Sequence, residues 1–315
     1  MSVLIVVTGG AVRLSGSGLG CETWPKCSSD SLVATSAMGV HGAIEFSNRM
    51  LTWVLSAAVG WTIVAARSVT PRRRPLSRLA WGQFWLVMGN GVVGGVTVLA
   101  KLNPYTVAAH FLAASALLTV AALTWLRARE GDAAARPLVG KPVRQLAWGL
   151  TGLTGVLIVV GTVVSGAGPH AGDSRNVPRM PVDWETVAQL HADLAWAVVA
   201  LTLALWFVLR AVDAPPAARR RARDLFLVLL SQGALGYVQY FTGLPEVVVG
   251  FHLLGSSLVW IAVLRLLLSV RDRGLPEHRG AADCALPEPR RTGGGQPGGL
   301  PDRASTESAT GSPAS

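Results

Sequence analysis

The sequence predicts an all-α integral membrane protein, eight transmembrane helices arranged as two pseudo-symmetric four-helix bundles. Three observations carry that expectation. Half of the 315 residues are hydrophobic and only 15% are charged, with a mean hydropathy of +0.43, so a soluble domain of this length would lack the polar surface to cover its interior. Apolar runs near the roughly 20 residues needed to span a bilayer recur along the chain. Basic residues gather at alternate ends of those runs.

In chain order the runs lie at residues 1–12, 39–66, 79–100, 105–126, 145–166, 187–209, 224–243 and 247–270. The first offers only a dozen apolar or small residues before Arg13, which predicts an apparently truncated helix and a native start upstream of Met1. Arg67, Arg72, Arg73, Arg74 and Arg78 follow the second run, residues 127–144 the fourth, residues 210–223 the sixth, and Arg271 and Arg273 the eighth. Lys and Arg are retained on the cytoplasmic side and set orientation. These loops and both termini are therefore expected inside the cell (plasma) membrane, and the loops holding Cys21, Lys101, Asp173 and Glu246 outside. The net charge of +10 is thereby spent on topology, and no nucleic-acid partner is expected, because that role needs a basic soluble face. Residues 274–315, rich in Pro, Gly, Ser and Arg, read as a disordered cytoplasmic tail.

An internal repeat supports the paired bundles. Gly91-Val92-Val93-Gly94 precedes His110 with the same spacing by which Gly233-Ala234-Leu235-Gly236 precedes His252; Trp53 and Arg67 correspond to Trp196 and Arg210. Further upstream, Ser15-Gly16-Ser17-Gly18 resembles Ser165-Gly166-Ala167-Gly168. Units of four spans share one orientation, related by an axis along the membrane normal. The expected organisation is an N-terminal bundle over residues 1–130, a cytoplasmic linker at 131–144, a C-terminal bundle over 145–273 and the tail.

Ionisable groups inside spans are costly and by default functional. His110, His191 and His252 sit at similar depths near the outer starts of their helices. Facing histidines in a four-helix bundle can grip haem iron axially, since neutral imidazole suits iron and bundle cores host cofactors. A lone membrane histidine is more often an interhelical hydrogen-bonding residue, but recurrence in a duplicated bundle favours ligation. The second half then offers His191 with His252. In the first half the partner of His110 is either Asn48 or His41, depending on which part of the repeat is matched. Glu45 is the only carboxylate inside its helix and lies four residues from both His41 and Arg49, on one face. It reads either as a buried ion-pair partner of Arg49 or as a catalytic acid or base, and Arg49 as its partner or as a holder of a haem propionate. Cys21 and Cys27 share the first outer loop, where the compartment permits a disulfide; free thiols or a metal half-site are the other readings.

Thr8-Gly9-Gly10-Ala11-Val12-Arg13-Leu14-Ser15-Gly16-Ser17-Gly18-Leu19-Gly20-Cys21, then Trp24-Pro25 with Cys27, Ile44-Glu45-Phe46-Ser47-Asn48-Arg49 and Gly168-Pro169-His170-Ala171-Gly172-Asp173 together resemble heme A synthase of the cytochrome oxidase assembly pathway, over roughly residues 3–270. The resemblance implies an eight-helix membrane oxidoreductase that oxidises the C8 methyl of haem O to a formyl group by successive hydroxylations, giving haem A. It implies a haem b cofactor (iron) on His191 and His252, and haem O as substrate near His110 and Glu45. The partners expected are the haem O synthase that supplies haem O, an electron donor and membrane lipid, with a homo-oligomer left open. Many relatives carry His where this chain has Asn48, whereas this chain offers His41 one turn before the acid. His170 enters only through the Gly-Pro-His motif, where shaping the loop is an equal reading. Two other classes compete. A bis-histidine cytochrome b-type electron carrier would explain the ligands but not Glu45 or the cysteines, and a transporter would place its site at the midplane.

Overall fold

The computed structural model describes residues 1–170, 172–173 and 177–276. Among them are eight α-helices: α1 (Ser2–Leu14), α2 (Gly39–Ser68), α3 (Arg74–Leu99), α4 (Pro104–Ala128), α5 (Lys141–Ala167), α6 (Trp184–Ala211), α7 (Pro216–Phe241) and α8 (Glu246–Ser269). Six of them, α2 to α6 and α8, are long and apolar enough to cross a membrane. The chain is a multi-pass helical membrane protein. α1 has 13 residues, and α7 opens with arginines at positions 219, 220, 221 and 223.

The helices start where backbone chemistry favours it. Pro75, Pro104, Pro142 and Pro216 stand in first turns, where a missing N–H costs nothing. The Asn103 side chain accepts from the Tyr105 N–H, and Asp183 accepts from the Thr186 N–H. Three helices begin four or more residues ahead of their apolar runs. α3 begins at Arg74, α5 at Lys141 and α7 at Pro216, because helical hydrogen bonding continues through the polar headgroup zone where apolar character stops. α5 therefore starts inside the segment expected to be linker.

Packing closes two rings. α1 meets α2, α2 meets α3, α3 meets α4 and α4 meets α1; α5, α6, α7 and α8 close in the same way, and the rings join through α1 with α8 and α4 with α5 and α8. The second ring is sealed by Leu150, Val198, Leu205, Leu209, Leu225 and Val263, all buried. The first is held by Leu55, Val59, Val87 and Leu117. Lipid replaces water as the outer solvent, so large apolar side chains such as Trp53, Trp61 and Trp85 face outward. Polar groups within spans are satisfied locally or across helices. Thr151, Thr154 and Thr202 hydroxyls donate to carbonyls one turn back, Gln83 donates to Thr124 at 2.8 Å, and Trp260 Nε1 donates to Thr119 Oγ1 at 2.7 Å between the rings.

At the basic end, Arg73 donates to Asp132 (2.9 Å) and to the carbonyls of Arg127 and Glu130, while Arg127 reaches Asp132 and Glu130. A two-residue ladder pairs β1 (Arg136–Pro137) with β2 (Arg271–Asp272), and Gly131 donates to the Gly274 carbonyl. Gly274, expected to belong to the tail, is thus anchored by a backbone hydrogen bond; residues 277–315 lie outside the described residues. The Arg73 hydrogen bond, helped by the charges of Arg73, Arg127 and Arg273, holds Asp132 below the ordinary carboxylate range. A depressed folded pKa contributes stability that is present above the unfolded value near pH 4 and lost as pH falls through the folded value. Asp132→Asn is therefore expected to lower stability by about 1 kcal/mol near neutral pH, a figure discounted for the partial exposure of the carboxylate. It should also flatten the acid limb of a thermal-unfolding profile.

Candidate functional site

The residues expected at a site fall into two clusters, one in each ring. In the second ring, His191 on α6 and His252 on α8 face each other with ring centroids 6.4 Å apart and planes inclined by 64°. One metal ion shared by two imidazoles, each through a nitrogen about 2.0–2.1 Å away, would set the ring centres about 6 Å apart. The separation fits. Each histidine lies over a glycine of the preceding helix: a Cβ at Gly161 would stand 3.1 Å from His191 Cε1, and one at Gly236 would stand 3.7 Å from His252 Cε1. In the first ring, His110 on α4 repeats the arrangement over Gly94 of α3, at 3.0 Å. The Nδ1 atoms of all three histidines are buried without a hydrogen bond of ordinary geometry, although the Leu157 backbone lies beside His191.

The first ring differs in what accompanies its histidine. Asn48 of α2 buries its Oδ1 without a partner. His41, two turns earlier, is engaged by the glycine-rich segment after α1, its Nδ1 lying 2.9 Å from Ser17 Oγ. Asn48 is thus the α2 candidate with an unpartnered polar atom, whereas His41 is engaged by the segment after α1. Glu45, on the same helix, is buried and ion-paired: Oε1 accepts from Arg49 Nη2 at 2.6 Å and from Nε at 3.2 Å, and Oε2 accepts from the Cys21 N–H at 2.6 Å. An ionised carboxylate offers about four lone-pair sites, so one remains on Oε2.

Arg49 spends all five of its N–H groups. Besides Glu45 it donates through Nη1 to the carbonyls of Thr23 and Lys26, both at 3.0 Å, and through Nη2 to that of Cys21 at 3.2 Å. None is left for a haem propionate. Cys21 and Cys27 are joined as a disulfide in that same loop, and both are fully buried. The Trp24 ring of the loop lies on Gly95 of α3, next to the glycine beneath His110. The disulfide loop therefore covers the end of the first ring opposite the arginine-rich end. A lysine could not supply five directed donors. Arg49→Lys is expected to fold with a thermal midpoint lowered by several degrees, equivalent to about 2 kcal/mol, measurable by thermal unfolding in detergent.

The loops after α1 and after α5 join the two rings at that same end. Ser17 and Asp173 form an antiparallel bridge, Gly18 donates to the Gly172 carbonyl at 2.8 Å and Leu19 donates to Asp173 Oδ2 at 3.2 Å. Arg13 closes the junction through the carbonyls of Ser165 and His170. His170 accordingly shapes this loop: its carbonyl takes Arg13 and its Nε2 lies 2.7 Å from the Leu244 carbonyl oxygen. Gly161, Ser17, Trp24 and Arg13 enter the site without having been expected there as site residues. The repeat could have pointed to Gly94 and Gly236, whereas Gly161 has no counterpart in it.

A family model described as cytochrome oxidase assembly protein, COX15-CtaA, matches residues 1–264. Among curated proteins, the heme A synthase of Symbiobacterium thermophilum is 29% identical over 269 residues, covering 77% of this chain and 85% of its own length. The heme A synthases of Methylobacterium radiotolerans and Geobacillus kaustophilus are 27% and 24% identical, covering 89% and 88% of this chain and 89% and 90% of their own lengths. Matched from its first residue to within two turns of the end of α8, this chain belongs to the COX15-CtaA family of cytochrome oxidase assembly proteins.

Proposed function

We propose that this chain is a heme A synthase, a haem-dependent membrane oxidoreductase that converts haem O to haem A. The observation that carries the reading is the facing pair His191 and His252, each over a glycine, in a ring whose counterpart holds His110 with a buried carboxylate. A pair of imidazoles alone would serve an electron carrier equally well. The asymmetry between the rings, ligands in one and Glu45 with its covering disulfide loop in the other, favours chemistry in the first ring.

His191 and His252 would hold haem b, the glycines keeping the space beside each imidazole open. Haem b supplies one-electron redox chemistry when bound. His110 would approach the iron of haem O, with Asn48 as the polar group on α2. Glu45, fixed by Arg49 and the Cys21 N–H, would present its remaining Oε2 lone pair to stabilise positive charge or take up a proton at the C8 carbon. The covering loop excludes water, which strengthens any electrostatic effect of a fixed carboxylate. Both rings would be repeats of one four-helix unit in the plasma membrane, all eight helices embedded, with the basic end and both termini cytoplasmic. A haem O synthase and an electron donor would be its partners.

Pigment extraction from the purified chain with mass analysis tests this. Haem b together with haem O, haem A or a partly oxidised intermediate supports it. Haem b alone, in a host that also makes haem O, would leave the carrier and remove the synthase.

A further inference from the structure

The basic end carries a feature that neither ring's site uses. Trp125, in the last turn of α4, is 45% exposed. The Arg129 guanidinium lies 4.0 Å from its ring centre and that of Arg265, on α8, lies 5.7 Å away. Two like charges therefore flank one indole. Arg221 of α7 joins them, its Nη1 donating to the Arg265 carbonyl at 3.0 Å, and the charge of Arg265 acts directly upon it. Three cations, one just past the end of α4 and one each on α7 and α8, thus converge where the first ring meets the second.

Their neighbours do not neutralise them. None of Arg129, Arg221 and Arg265 forms an ion pair among the described residues. Glu130 is the acid that acts on Arg221, but its Oε2 is taken by Arg127 at 3.0 Å, with Arg271 at 3.9 Å. Arg220 adds a further positive charge. Arg223 is discharged locally by Asp224 and Arg73 by Asp132. Like charges gathered without a counter-ion raise one another's energy unless an anion sits among them.

We infer that Trp125, Arg129, Arg221 and Arg265 form a binding site for the phosphate headgroup of an anionic phospholipid, seated in the groove between α4, α7 and α8. Arginine forks match phosphate oxygens. An indole at the end of a span belongs at the headgroup level, and the apolar helix surfaces below would receive the acyl chains. Basic pockets between helices on this kind of surface take anionic lipids in preference to zwitterionic ones. The bound lipid would seal the junction between the rings.

Native mass spectrometry of the full chain in neutral detergent, supplied with equimolar phosphatidylglycerol and phosphatidylcholine, tests the site. Phosphatidylglycerol should be retained preferentially. Arg221→Gln and Arg265→Gln should each lower that retention about fivefold, the equivalent of ~1 kcal/mol per basic side chain at a membrane surface. Arg78→Gln, an exposed arginine at the same membrane end on α3, should leave it unchanged. If Arg265→Gln fails to fold, Arg129→Gln carries the same test from α4. Equal retention of the two lipids, or equal retention by the parent chain and the variants, overturns the inference. Millimolar inorganic phosphate should displace little lipid; ready displacement would assign the arginines to free phosphate and overturn the lipid reading.

Discussion

Replacing either His191 or His252 with alanine is expected to abolish the six-coordinate, low-spin haem signal of the purified chain. The two rings stand 6.4 Å apart on α6 and α8, a spacing that one axially ligated iron would fill, and neither helix offers a second imidazole within a turn. Loss of one ligand leaves the remaining imidazole on a five-coordinate, high-spin iron or releases the haem altogether. His41→Ala provides the contrast. Its imidazole is engaged by Ser17, so its removal should leave the low-spin spectrum intact. Optical and electron paramagnetic resonance spectra of the three variants read the outcome. An unchanged low-spin spectrum in both the His191 and His252 variants would refute the assignment.

Glu45→Gln is expected to lower haem A formation at least about 100-fold, in the range that positioned proton-transfer groups contribute, while haem O accumulates and the low-spin haem content stays level. The competing explanation is structural, because Glu45 ties the Cys21 N–H and Arg49 together. A glutamine keeps the shape of the side chain but loses the charge. Arg49→Lys separates the two roles, since it loosens the same loop while retaining the carboxylate. A catalytic Glu45 makes the glutamine variant far less active than the lysine variant. Haem A formed at the parent rate by Glu45→Gln, or equal losses in both variants, would contradict the catalytic role.

Much of the fold could be read from the residues. Every apolar run from 1–12 to 247–270 corresponds to a helix, and six of those helices have the length and uniform apolarity that a bilayer imposes on what spans it. Helix ends were less legible. Apolar runs stop at Ser77-Arg78 or Arg223, whereas the backbone continues helically to Arg74 and Pro216, since charged side chains at the headgroup level leave intrahelical hydrogen bonding intact.

At the site, His110 and His252 were legible from the spacing each keeps to a Gly-x-x-Gly run, and His191 from its similar depth in its helix. The Glu45–Arg49 pair followed from one-turn spacing. The rest depends on contacts between segments distant in sequence. Arg49 reaching three loop carbonyls, Ser17 engaging His41 and Trp24 lying on Gly95 leave no local pattern, since backbone carbonyls are offered by every residue alike. The spent guanidinium of Arg49 is a case in point: its spacing from Glu45 is compatible with a free propionate-binding fork, and only the folded loop reveals that its donors are occupied.

The most direct test of the account is haem A formation in a cell that makes haem O but has no other means of oxidising it. Expression of this chain, full length and in the membrane, is expected to produce haem A, identified by the mass of the formyl-bearing porphyrin and by its shifted reduced spectrum. The Glu45→Gln variant, expressed to the same level, should leave haem O in its place. Membranes in which the parent chain is abundant and carries low-spin haem, yet haem O remains wholly unoxidised with electron donors present, would contradict the assignment as a heme A synthase.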